Sequence, residues 1–206
     1  MRTAILAAAS IVAGARTPLA AQDVRPRHDT ISTTIVGPQQ TAQVRITYGR
    51  PLAEGRHLLG DVVPFGAPWL LGAGSLTELR TLTSLQIGSL VVPAGRYALW
   101  AVPTPNGATL IVNRRTGAGA MSYDSTADVG RVRLATDSLT SPVDSFTIRF
   151  HHVQTGPDEL GISVNSSGSR ETLIMRSGIA VSLVISWDRF RWTVPLTAPD
   201  TLRHKP

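Results

Sequence analysis

The sequence predicts an all-β fold, an antiparallel β-sandwich or flattened barrel of about ten to twelve short strands with one long ordered loop. Three observations carry that reading. Short β-branched and alternating segments recur along the chain, fourteen prolines and eighteen glycines punctuate them, and no amphipathic helix follows the N-terminal apolar run. At 206 residues with 42% apolar and 17% charged side chains, one full core accounts for the chain, and no internal repeat points to a propeller or solenoid.

The first segment is an export signal by pattern. Met1-Arg2 is a short positive start, Thr3 to Ala15 is largely apolar, and Thr17-Pro18-Leu19-Ala20-Ala21 offers small residues for cleavage after Ala21. Removing residues 1–21 takes away Arg2 and Arg16 and no acid, lowering the formal charge from +6 to +4. The chain has no cysteine, so it has neither a disulfide framework nor the lipid-anchoring cysteine of a lipoprotein. The expectation is a protein delivered to a periplasm or the exterior, soluble and not membrane-spanning, with 22–29 a flexible leader, 30–196 one β-sandwich domain and 197–206 a flexible tail. Nineteen of the twenty basic residues are arginine, scattered instead of clustered, and no stripe for nucleic acid is visible.

The strands follow in order. Thr30–Val36 and Gln43–Tyr48 should form a hairpin about Gly37-Pro38-Gln39-Gln40. Thr77–Ile87 reads as one bent strand or two short ones, and Gly88-Ser89 as a turn. Pro93-Ala94-Gly95 suits a type II turn with Gly95 at positive φ. Arg96–Val102 is apolar on both faces, which marks a central strand, and Ala108–Asn113 is its hairpin partner. Arg114–Asp128 is a second irregular segment. Val129–Leu134, a turn or single helical turn at Asp137–Pro142, Ser145–Val153, Glu159–Val164, Arg170–Met175, Ala180–Ser186, a tight reversal at Trp187-Asp188, and Arg189–Val194 complete the set.

The stretch Tyr48–Gly74 stands apart. It gathers six glycines and three prolines around Arg50, Arg56, His57, Asp61 and Trp69, and its apolar content argues for an ordered loop laid over the core. Arginine beside tryptophan is a lining for an anionic or sugar-like ligand, and Tyr48, Arg50, Arg56, Trp69 and Glu78 are the candidate ligand-binding residues. The alternative from the same residues is a structural lid, with Trp69 plugging one end of the sandwich and the arginines bonding loop carbonyls.

Catalytic machinery is not legible. The chain has no G-x-S-x-G, no cysteine nucleophile and no S-x-x-K. His151 and His152 are neighbours on a strand and point to opposite faces, so they do not make one metal site. No catalytic residue, metal or cofactor is assigned. The leading reading is an exported ligand-binding or structural envelope module. The competing one is a hydrolase of envelope polysaccharide using Glu54, Asp61 or Glu78, which requires two carboxyl groups about 5 to 10 Å apart across a cleft.

One ordered series of motifs adds to this. Tyr48-Gly49-Arg50-Pro51, Gly55-Arg56, Val63-Pro64-Phe65-Gly66 with Trp69 and Gly72-Ala73, Val92-Pro93-Ala94-Gly95 with Tyr97 and Leu99, Asp128 with Arg131-Val132, and Trp187 follow one another from Tyr48 to Leu196. In these the chain resembles the bacterial family catalogued as domain of unknown function 2911. The resemblance implies an exported all-β protein and supplies no reaction. Similar sequences place Asn-Glu where this chain has Gly74-Ser75, which removes a carboxylate from that position, and Gly161–Gly178 is longer than the usual connection and reads as an extra hairpin.

Overall fold

The structure, a computed structural model, describes residues 27–37, 39–117, 119–154 and 179–199. The signal at 1–21, the strands expected within 159–175 and the extra hairpin at 161–178 lie outside the described residues. Among the described residues nine strands form one antiparallel ladder: β1 (Arg27–Val36), β2 (Thr41–Arg50), β3 (Glu78–Thr81), β4 (Leu85–Ile87), β5 (Leu90–Val92), β6 (Gly95–Thr104), β7 (Gly107–Asn113), β8 (Asp128–Gln154) and β9 (Ile179–Thr197). Their order is β1-β2-β3-β6-β7-β8-β9-β4-β5. The all-β class and the closed or sandwiched sheet expected from the sequence are what the chain adopts.

The β1–β2 hairpin turns where expected. It starts earlier than Thr30, because Arg27, His28 and Asp29 pair with Arg50, Gly49 and Tyr48. Thr77–Ile87 resolves into two short strands, β3 and β4. β6 is central, with β3 on one side and β7 on the other. Its Tyr97, Leu99 and Ala101 enter the main core with Ile46, Phe146 and Trp192. Its Ala98 and Trp100 join Ile111 in a second cluster, covered by Leu70, Leu76 and Tyr123. A strand apolar on both faces is thus matched by a sheet interior on one side and folded-over loops on the other.

Three expectations are corrected. Asp137–Pro142 is not a turn and Trp187-Asp188 is not a reversal; both lie inside the long strands β8 and β9, which pair from Ala135↔Thr193 to Gln154↔Ile179. The register shifts between Ser138 and Val143 and again between Val143 and Thr147, so residues that look like a turn are accommodated as bulges. Pro142 is tolerated there because a bulged position needs no ladder donor. Opposite Val143, Asp188 takes φ 45°, the local bend that the sequence presents as a reversal. Among the described residues the expected Val129–Leu134 and Ser145–Val153 strands are thus one strand, β8, and the expected Ala180–Ser186 and Arg189–Val194 strands are one strand, β9. Gly95, expected at positive φ, is the first residue of β6 and is not among the positive-φ glycines. A Cβ there would stand 2.9 Å from the Tyr97 hydroxyl, which crosses over Gly95 to donate to the Pro93 carbonyl at 2.9 Å.

No helix among the described residues is long and apolar enough to cross a membrane.

Candidate functional site

The Tyr48–Gly74 segment leaves β2 and folds onto the outer edge of β8. Pro51 accepts from Phe146 N–H at 2.9 Å, Ala53 N–H donates to the Asp144 carbonyl at 2.7 Å, and Leu52 bridges Ser145. Side chains continue this pairing. The Tyr48 ring is fully buried, and its hydroxyl accepts from Ile148 N–H and lies within donating distance of the Ile148 carbonyl, both at 3.1 Å, with Asp29 Oδ2 at 3.3 Å. Burial raises the Tyr48 hydroxyl above the usual tyrosine range, and the nearby Asp29 carboxylate pushes the same way. Arg50 Nε donates to the Phe146 carbonyl at 3.2 Å, Nη1 reaches Asp29 Oδ2 at 3.4 Å and Nη2 reaches Thr147 Oγ1 at 3.4 Å.

Trp69 is the loop's second anchor. Its backbone exchanges two hydrogen bonds with Ala101 of β6, at 2.7 and 2.8 Å. Its half-buried indole stacks on Trp187, with centroids 5.8 Å apart and an interplanar angle of 12°, and stands edge-on to Phe146 at 5.3 Å. Nε1 donates to Gly72 O at 3.2 Å. The returning end then docks on β2, where a Cβ at Gly49 would collide with the Ala73 carbonyl and one at Gly72 would lie 2.8 Å from Gly49 O. Two glycines there let two backbones touch, the physical content of the Tyr-Gly-Arg-Pro and Gly-Ala motifs. Leu71, at φ 54°, is held by Thr77 Oγ1 donating to its carbonyl at 2.6 Å.

Tyr48, Arg50 and Trp69 therefore meet around Phe146. Tyr48 offers solvent no stacking face, because the hydroxyl is needed inside as a partner for β8. Arg56 stands apart at the first turn of the loop, where Nε donates to Ala53 O at 3.0 Å and Nη2 to Leu52 O at 3.1 Å; its contact with Glu54 at 3.4 Å is solvent-exposed. With His57, Asp144, Asp188 and Arg189 it lines a shallow cleft of about 240 Å³. Glu78 joins none of these; it lies on β3 and takes a two-pronged ion pair from Arg96 of β6, at 2.9 and 3.0 Å. Glu54 and Glu78 thus answer to different arginines, and Asp61 is exposed. Among the described residues, no three His, Cys, Asp or Glu side chains gather as a metal site.

A second polar cluster lies at the end of the 114–128 segment, and neither Tyr123 nor Asn113 stands out in the sequence. Asp128 Oδ2 accepts from Tyr123 Oη at 2.7 Å and from Arg131 Nη2 at 2.9 Å, and the same Nη2 reaches Tyr123 Oη at 2.6 Å. Buried Asn113 donates to Asp128 Oδ1 and to the Asp124 carbonyl, both at 2.8 Å, and its own Oδ1 accepts from Arg115 N–H. Desolvation, then the Asp128 carboxylate, raises the Tyr123 hydroxyl. The only trace in sequence is the Asp128 and Arg131 spacing. The cluster latches the segment to β7 and β8 and seats Tyr123 edge-on to Trp100 at 5.4 Å.

A family model described as "Protein of unknown function (DUF2911)" matches residues 29–165, more than half of the chain. The matched span runs from Asp29 within β1 through β8, so it begins before the Tyr48 at which the sequence motifs start and stops short of β9. No curated protein and no solved structure matches.

Proposed function

The chain belongs to this family of proteins of unknown function, and on that premise we propose that it is an exported envelope module that binds or braces instead of catalysing. Its Tyr48–Gly74 loop serves as the structural closure of the sandwich. The observation that carries the reading is the engagement of Tyr48, Arg50 and Trp69: the polar groups that would meet a ligand meet backbone of β8 or of the loop itself. Ligand contact at this loop falls to Arg56 and His57, which face the cleft shared with Arg189. That cleft suits a small anionic or polyhydroxyl group held by charge-assisted donors. Pairing of Glu54 with Arg56 and of Glu78 with Arg96 supports a module over a polysaccharide hydrolase. The apolar run before Gln22 supports export.

Thermal unfolding of Arg50→Ala and Arg56→Ala, beside a screen of glycans and anions, tests the assignment. Arg50→Ala should lower the melting temperature sharply, and any ligand found should be lost with Arg56→Ala, whose bonds to the Ala53 and Leu52 carbonyls lie at the exposed first turn of the loop and should cost less stability than those of Arg50. A ligand lost with Arg50→Ala while the melting temperature holds would return Arg50 to the binding surface. Mass analysis of the exported chain should give a start at Gln22.

A further inference from the structure

The solvent face of β2, on the other side of the strand from Tyr48, carries a feature that the closure of the sandwich does not use. Cross-strand pairing sets Ser32 opposite Arg45, Arg45 opposite Arg80, and Arg80 opposite Arg96. Three guanidinium side chains thus stand in one row on three adjacent strands, about 4.8 Å apart from strand to strand. All three are exposed. Like charges placed directly opposite one another oppose strand pairing, so the row works against the sheet it sits on. One member is neutralised: Arg96 is held by Glu78. Arg45 and Arg80 make no hydrogen bond or ion pair with any described residue.

Around these two the face is polar and concave. Ser32, Thr34 and Gln43 share it with Arg45 and Arg80 by the two-residue period of the strands, and Leu82 closes one end, 54% exposed. The hollow measures about 450 Å³. We propose that Arg45 and Arg80, with Ser32, Thr34 and Gln43, form a binding site for a phosphate ester. Two forked guanidiniums side by side match a tetrahedral oxyanion, since each fork gives two parallel N–H donors, and the hydroxyls and amide supply neutral donors for the remaining oxygens. The bound anion also removes the repulsion between the arginines. Glu78 confines the site to the Arg45 and Arg80 half of the row by occupying Arg96.

The test is calorimetric titration of the mature chain with inorganic phosphate and with glycerol 3-phosphate, in low-salt buffer with chloride as the reference anion, and co-sedimentation with anionic against neutral phospholipid vesicles. Arg45→Gln and Arg80→Gln should each weaken binding at least tenfold, and Arg133→Gln, a change of equal charge on β8, should leave it unchanged. Without ligand, Arg80→Gln should melt no lower than wild type, because it relieves repulsion, and phosphate should raise the melting temperature of wild type but not of the double variant. Binding of soluble phosphate esters, or retention on anionic vesicles alone that is lost with Arg80→Gln, supports the site and tells a small ligand from a lipid headgroup. The assignment is overturned by equal losses in all three variants, by affinity no greater than for chloride, or by binding that needs duplex nucleic acid. A fall in melting temperature with Arg80→Gln and no phosphate effect would also overturn it, since Arg80 would then be structural.

Discussion

The Tyr48 hydroxyl stands 3.1 Å from both the amide nitrogen and the carbonyl oxygen of Ile148, so one side chain occupies the place of a neighbouring strand's backbone. Tyr48→Phe would keep the ring packing and leave both backbone groups buried without a partner, at a cost of about 1 to 3 kcal/mol. Thermal or urea unfolding should show that loss, and amide exchange at Ile148 should quicken more than at Phe150. The pH dependence follows from the raised hydroxyl. A tyrosine whose folded pKa lies above the unfolded value of about 10 favours the folded state in its neutral form. Its contribution is complete below that pH and is lost as the pH climbs through the folded value, so Tyr48→Phe should unfold less steeply with alkali than wild type.

Trp69→Ala removes the face stacked on Trp187 and the edge against Phe146. The cost should be about 3 kcal/mol, the low end for a core tryptophan because the indole is half-buried. Chemical denaturation measures it. Trp69→Phe should recover part of the loss, whereas a site that only stacks on ligand would leave stability unchanged in both variants.

Gly49→Ala places a methyl group into the Ala73 carbonyl, where the obstacle is backbone and cannot rotate away. Destabilisation should exceed the 1 to 3 kcal/mol or so of an ordinary overpacked position. The soluble yield and melting temperature should both fall. Gly55→Ala, with nothing within 4 Å of the added carbon, should lose only the strain of its φ of 72°.

Asn113→Ala breaks the latch of the 114–128 segment and leaves the Asp124 carbonyl and Asp128 Oδ1 without their donor. A loss of about 1 to 3 kcal/mol is expected. Limited proteolysis should cut the segment near Gly117 faster than in wild type. Asp128→Asn should have a similar effect, by weakening the charge-assisted bonds from Arg131.

Local pattern was enough for some of this fold and not for the rest. The β1–β2 hairpin and the two-faced β6 are written in period and turn chemistry, and Tyr48–Gly74 is marked by its glycines and apolar residues. The continuity of β8 and β9 is not: Pro142 and Asp188 have the composition of turns, and only the pairing of Val143 with Asp188 between two register shifts carries both strands through them. Within the candidate loop, residue type pointed to chemistry and geometry decides its use. Arg50 carries the same charge in a ligand site as it does when donating to the Phe146 carbonyl, and nothing local tells Tyr48 from a stacking face until Ile148, a hundred residues on, arrives beside it. Asn113 and Tyr123 are silent for the same reason, since their significance lies in a carboxylate reached by folding.

Between Asp144 and Ile148, the outward-facing backbone of β8 is answered in turn by Ala53, Pro51, Arg50 and Tyr48. A long strand with an open edge invites a second chain to add itself, and such edges seed aggregates. Here the five-residue stretch beside the bulge is sealed by two side chains from the end of β2 and by the irregular backbone that follows it. The same loop that closes the core therefore makes this part of the sheet a poor template for another copy, and its loosening by Tyr48→Phe would expose a sticky edge as well as cost stability.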